Sequence, residues 1–118
     1  FKNSRADSSI RLLQDLPDRT SARHLCVAQI DFKAIGLNKK KYFETLKNNG
    51  VALNVHYIPV HFQPYYADLG FKRGMFPNAE TYYERAVTLP LYVGLSVQDQ
   101  DHVVEALERC LTHEARRD

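Results

Sequence analysis

The sequence predicts a small α/β (α+β) domain with about three strands in one sheet and helices packed on one face. Three observations carry this expectation. Residues 24–32 alternate so that Cys26, Ala28, Ile30 and Phe32 share one side of a strand. Residues 38–50 and 96–111 each place apolar side chains at helical spacing behind a residue able to cap a helix. Between them lie a second alternating run, residues 51–57, and a short apolar run, residues 87–91.

The elements follow in order. Residues 10–16 are a short apolar piece, read as helical and stopped before Pro17, and residues 18–23 are polar linker. The strand at 24–32 comes next. Asn38 then caps a helix whose stripe is Tyr42, Phe43 and Leu46, and Gly50 supplies the left-handed conformation that ends it. A second strand over 51–57 puts Val51, Leu53, Val55 and Tyr57 on one side, with Ala52, Asn54 and His56 on the other, so His56 and Tyr57 point oppositely. Pro64 suits the first turn of a short helix closed by Gly70, and Asn78 after Pro77 suits the cap of another that runs through Ala86. Residues 87–91 form a third strand, with Pro90 marking an edge or a terminus. Ser96 and Asp99 make a capping box ahead of a closing helix striped by Val103, Val104, Leu107, Cys110 and Leu111. Strand, helix, strand, irregular segment, strand, helix is the order of a split β-α-β sheet.

The chain's 118 residues suit one domain. No apolar run approaches the roughly 20 residues of a membrane helix, so no membrane partner is expected. A formal charge of +2 without a clustered basic face gives no reason to expect nucleic acid. Cys26 and Cys110 sit in apolar patterns without C-x-x-C spacing, as buried free thiols do, and no apolar leader opens the chain; both suggest a reducing, cytoplasmic compartment. The chain begins at Phe1 rather than at methionine, so a longer parent protein is expected.

The segment HYIPVHFQPYY is where binding chemistry concentrates. His56, Tyr57, Ile58, Pro59 and His61 place imidazole, phenol and main-chain groups around a rigid proline bend, a mixture that core building does not require. Such groups both donate and accept hydrogen bonds, while Pro59 limits the entropy of ordering them. The plainer alternative is a loop that packs on its neighbour. A metal site is disfavoured, because the proline break separates His56 from His61 and no Cys or carboxylate stands at ligand spacing beside them. Stacking of bases by Tyr65, Tyr66, Tyr82 and Tyr83 lacks the interleaved basic patch. His24 is read as a structural hydrogen-bonding residue, His102 and His113 as surface residues, Arg85 as a local partner of Glu80 or Glu84, and Lys39, Lys40 and Lys41 as a solvated charge run.

The stretches SARHLCVAQIDF, LNVHYIPVHFQPYYADLGF, FPNAETYYERAVTLPLYVGLS and QDQDHVVEAL, in this order and spacing, resemble the C-terminal domain of the DegT-type nucleotide-sugar aminotransferases. Within that family the similarity is greatest to the transaminases of pseudaminic acid biosynthesis, which aminate a UDP-linked 4-keto-6-deoxy sugar. The resemblance implies a fold type I pyridoxal-phosphate enzyme, a homodimer that passes an amino group from glutamate to a keto-sugar nucleotide for surface-glycan synthesis. It makes residues 1–23 the connection from an N-terminal large domain and residues 24–118 the small C-terminal domain. The cofactor and its Schiff-base lysine belong to the large domain, so this chain alone is expected to bind no cofactor and to be inactive. The resemblance places HYIPVH at the cleft between the two domains, with His56, Tyr57, Ile58, Pro59 and His61 as substrate contacts. It also implies an exposed apolar patch where the large domain docks. Arg23 and Cys26 stand where the family commonly has an aromatic residue and a tyrosine. A free-standing module that binds a small molecule or a protein, without catalysis, is the alternative of a different class.

Overall fold

The structure is a computed structural model that describes residues 10–114. Strands β1 (Ile10–Leu12), β2 (Cys26–Ile30) and β3 (Ala86–Leu89) form one antiparallel sheet in that order. Ile10 lies opposite Ile30, and Ala28 opposite Val87, so these side chains share one face. Helices α1 (Lys39–Asn48) and α4 (Val97–Glu114) supply Tyr42, Leu46, Ala106, Leu107 and Cys110 to the same core. The expected three-stranded sheet with helices on a core face is therefore present.

The helix caps follow the sequence. The Asn38 side chain accepts a hydrogen bond from the Lys41 N–H at 3.1 Å, and Gly50 adopts φ +79° just beyond the helix. At α4, the Ser96 hydroxyl accepts from the Asp99 N–H at 3.1 Å, while the Asp99 carboxylate accepts from the Ser96 N–H at 3.1 Å and from its hydroxyl at 2.6 Å. Those bonds hold the Asp99 carboxyl below its ordinary range. The exposed His102 ring, on α4, donates to the Asn49 carbonyl at 3.0 Å and ties the end of α1 to α4.

Three elements differ from the sequence expectation. Residues 10–12 are a strand rather than part of a helix, because the edge of β2 offers backbone partners that continue to the Leu13 N–H on the Val27 carbonyl at 3.2 Å; a helix this short would carry the full cost of nucleation. The second strand over 51–57 shrinks to one bridge, where Asn54 and Thr88 exchange backbone hydrogen bonds of 3.1 and 2.8 Å. The next acceptor along that edge of β3, the Ala86 carbonyl, takes the Lys39 Nζ at 3.0 Å in place of a further rung of the ladder. The split β-α-β topology survives, with β2 and the Asn54 segment flanking β3 and joined through α1. Finally, α3 (Pro77–Arg85) begins at Pro77, so Phe76 occupies the cap position in place of Asn78. Pro64 opens α2 (Pro64–Asp68) and Gly70 follows it with φ +94°, both as expected, and β3 stops just before Pro90.

Lys39 departs from its neighbours. Lys40 and Lys41 are exposed, but Lys39 is half-buried, and its Nζ donates to the Tyr83 carbonyl at 2.6 Å and the Ala86 carbonyl at 3.0 Å. It lies 5.0 Å from the Tyr83 ring centroid, so one ammonium joins the start of α1 to the junction of α3 and β3. Burial pulls its pKa down to about 8, with the Glu84 carboxylate opposing that shift. Tyr42, in the core, packs edge to face on Phe32 with ring centroids 5.3 Å apart; its buried hydroxyl has no hydrogen-bond partner among the described residues.

Two expectations follow from this packing. Removing the orphaned hydroxyl with Tyr42→Phe should leave stability unchanged or raise it by about 1 kcal/mol in urea unfolding; a comparable loss would reveal a partner for it. The folded Lys39 pKa of about 8 lies below the ordinary 10.5, so between these values the unfolded chain holds more protons and stability rises with pH. Lys39→Met should weaken that rise, read as the difference in urea midpoint between about pH 7 and about pH 9.5. An equal rise in both proteins would count against it.

Candidate functional site

The Asn54–Thr88 bridge delivers the chain to the sheet face opposite the core. Two residues later the half-buried His56 places Nδ1 2.9 Å from the Thr88 hydroxyl, and its carbonyl accepts from the Tyr82 hydroxyl at 3.3 Å. Thr88 is buried, so this contact fixes the ring against the sheet. His56 and Tyr57 do not point oppositely. Their rings meet edge to face with centroids 4.5 Å apart, in a segment that has left the regular strand. Tyr57 is 73% exposed, and Ile58 is exposed beside it.

Pro59 turns inward and is buried. A single 3-10 turn follows at Val60–Phe62, with the Phe62 N–H on the Pro59 carbonyl at 2.9 Å and the Gln63 N–H on the Val60 carbonyl at 3.0 Å. That turn swings His61 into the protein, where it is only 7% exposed. Its Nε2 lies 2.9 Å from the Glu80 carboxylate, and its ring packs against Phe62 and Phe76, with centroids 4.4 and 4.8 Å away. Glu80 also accepts from the Gly74 N–H at 2.8 Å and from the Phe76 N–H at 3.3 Å. The Gly74 amide above all, with His61 and Phe76, holds its carboxyl below the ordinary range.

The five expected site residues thus form one arch but face different ways. Tyr57 and Ile58 are presented to solvent, His56 lies at the arch's inner edge, and Pro59 and His61 root it. The Thr88 contact engages one imidazole nitrogen of His56 and leaves the other, like the Tyr57 hydroxyl, without a partner among the described residues. The arch can offer hydrogen bonds and an apolar contact to a polyhydroxylated ligand. Val60, Tyr65, Leu69, Met75 and Phe76 extend an exposed apolar stretch beside it, the kind of patch expected where a further domain docks.

Sequence reasoning missed other parts. Arg85 pairs with Asp31 at 2.5 Å rather than with Glu80 or Glu84, which leaves Glu80 to the loop. His24 is exposed and lies before β2, without the expected structural hydrogen bond among the described residues. Arg73 stacks its guanidinium 3.8 Å from the Phe62 ring centroid. Glu80 bonds Gly74 and Phe76 six and four residues before it but His61 nineteen residues before it, so no local pattern signals the whole set. Among the described residues no group of three or more His, Cys, Asp or Glu could hold a metal ion, and no helix is long and apolar enough to cross a membrane.

Among the described residues Lys39 is the one lysine that is not exposed, and its surroundings do not fit a pyridoxal-phosphate site. Lys39, whose lowered pKa suits Schiff-base chemistry, commits its Nζ to two carbonyls, and the Asp31 carboxylate in the adjoining cleft is paired with Arg85. No catalytic step is assigned to that cofactor on this chain.

Comparison with known proteins bears on the same residues. The profile of the DegT/DnrJ/EryC1/StrS aminotransferase family matches residues 4–108. The spore coat polysaccharide biosynthesis protein SpsC of Bacillus subtilis (strain 168) is 42% identical over 92 residues, which are 76% of this chain and 24% of that protein. A Streptococcus pneumoniae protein described as a sugar aminotransferase, Spr1654, in its PMP-form, superposes with a TM-score of 0.72 and 28% identity, covering 87% of this chain and 26% of that one. PseC of Helicobacter pylori, an aminotransferase involved in the biosynthesis of pseudoaminic acid, superposes with a TM-score of 0.79 over 94% of this chain and 29% of that one; at 22% identity it shows a shared fold. The chain spans about a quarter of the length of these relatives.

Proposed function

The chain belongs to the DegT/DnrJ/EryC1/StrS aminotransferase family, and on that premise we propose that it is the small C-terminal domain of a longer sugar aminotransferase. The parent enzyme transfers an amino group from glutamate to a keto-sugar nucleotide, in the cytoplasm, for polysaccharide or surface-glycan synthesis. Pyridoxal phosphate and its lysine belong to an N-terminal large domain that enters through residues 1–23; residues 24–118, together with the strand Ile10–Leu12 that completes their sheet, are the small domain, and the enzyme works as a homodimer. A UDP-linked 4-keto-6-deoxy sugar, the substrate class of pseudaminic acid synthesis, is the first to try.

The observation that carries this reading is the arch at residues 56–61, which presents Tyr57 and Ile58 outward while His56 is braced on Thr88. In the proposal His56, Tyr57 and Ile58 meet the sugar nucleotide, Pro59 sets the bend and His61 holds the arch to Glu80. Imidazole and phenol donate and accept hydrogen bonds as a sugar or pyrophosphate requires, and a braced ring loses little entropy on binding. The exposed apolar stretch from Tyr57 to Phe76 favours a domain with a missing neighbour over a free-standing binding module.

In the full-length enzyme, His56→Ala should raise the Michaelis constant for the keto-sugar nucleotide about tenfold, the loss of roughly one charge-assisted or buried hydrogen bond. The half-reaction with glutamate, read from the cofactor's absorbance, should be unchanged. An unaltered Michaelis constant for the sugar would refute the assignment.

A further inference from the structure

Every anchor of the arch comes from one continuous piece of chain. Glu80 and Tyr82 lie on α3, and α3 passes without a loop into β3, which carries Thr88. The Tyr82 hydroxyl holds the His56 carbonyl at the arch's entry, and the Glu80 carboxylate holds the His61 ring at its exit. Only Tyr57, Ile58, Pro59 and Val60 lie between those clamps. We infer that Glu80 and Tyr82 are positioning residues that keep this arch in its ligand-facing conformation and thereby set the enzyme's affinity for its sugar substrate. This rests on the reading of residues 56–61 as the sugar-nucleotide contact.

The chemistry of Glu80 supports the role. Its side chain is 16% exposed, and its two oxygens gather His61 with the backbone N–H groups of Gly74 and Phe76. A carboxylate that collects donors from two separate segments ties them together, and its loss releases both at once. Tyr82 acts differently, since its hydroxyl fixes a carbonyl next to an exposed aromatic side chain. Of the four residues between the clamps only Pro59 is buried, and Tyr57, Ile58 and Val60 are all exposed, so the arch has little buried surface of its own to hold it in one shape without them. A ligand that binds one conformer loses apparent affinity in proportion to the fraction of protein in it, and turnover of the bound complex is spared.

The test uses the full-length enzyme with a UDP-linked 4-keto-6-deoxyhexose as the probe, comparing Glu80→Gln, Tyr82→Phe and His56→Ala. Glu80→Gln is expected to raise the Michaelis constant for the sugar about tenfold and Tyr82→Phe about threefold, with kcat held within about twofold, as a tenfold drop in competent population requires. Hydrogen exchange at the Phe62, Gln63, Gly74 and Phe76 amides should speed up in Glu80→Gln, while the Ala28 and Val87 amides in the sheet keep their protection. Tyr82→Phe removes one oxygen and retains the ring, so it carries the test if Glu80→Gln does not fold. If His56→Ala raises the Michaelis constant and neither α3 variant does, the positioning role falls and the site stands. If His56→Ala has no effect, the site reading falls and takes the positioning role with it. A uniform loss of kcat, sugar affinity and sheet protection would mark Glu80 and Tyr82 as general structural residues and also overturn the inference.

Discussion

The exchange of backbone hydrogen bonds between Asn54 and Thr88 is the constraint on which the rest depends. It closes the split β-α-β unit with the least possible strand, one residue, and so releases the chain from sheet geometry immediately afterwards. Beyond Asn54, His56 lies against the Thr88 side chain, and Tyr57 turns its ring onto His56 and remains exposed. A full strand through Tyr57 would have sent those two side chains to opposite faces of the sheet. The ladder goes no further, since the Ala86 carbonyl that would accept next is taken by the Lys39 ammonium.

From that point the chain's two faces do different work. On one, Ile10, Ala28, Ile30, Val87 and Leu89 pack against Tyr42, Leu46 and Leu107, the apolar burial that gives the domain its stability. On the other, Thr88 and the adjoining α3 hold a polar and aromatic arch. Lys39 links the two, since it bonds the carbonyls where α3 becomes β3 from its place at the start of α1. A rigid core thus supports the proposed binding surface, which is built on irregular backbone, the usual division between scaffold and loop.

Much of the fold was legible because it rests on local chemistry. Asn38, Gly50, Ser96 and Asp99 mark helix ends through bonds made within a few residues, and the stripes of α1 and α4 follow from helical spacing. The segment from His56 to His61 stood out by composition, and the structure brings its residues into one arch. What stayed hidden depends on contacts made across the chain. β1 is a strand only because β2 offers an edge, Lys39 differs from Lys40 and Lys41 only through carbonyls more than forty residues on, and Glu80 meets His61 only once Gly74 and Phe76 have folded round it. Tertiary partners of this sort leave no periodicity to read.

The most direct test of the central claim is hydrogen exchange across this domain in the full-length enzyme, with and without a UDP-linked keto sugar. The account predicts that the ligand adds protection at residues 56–63 while the amides of β2 and β3 stay as they were. Bound sugar that protects other segments and leaves residues 56–63 unchanged would contradict it.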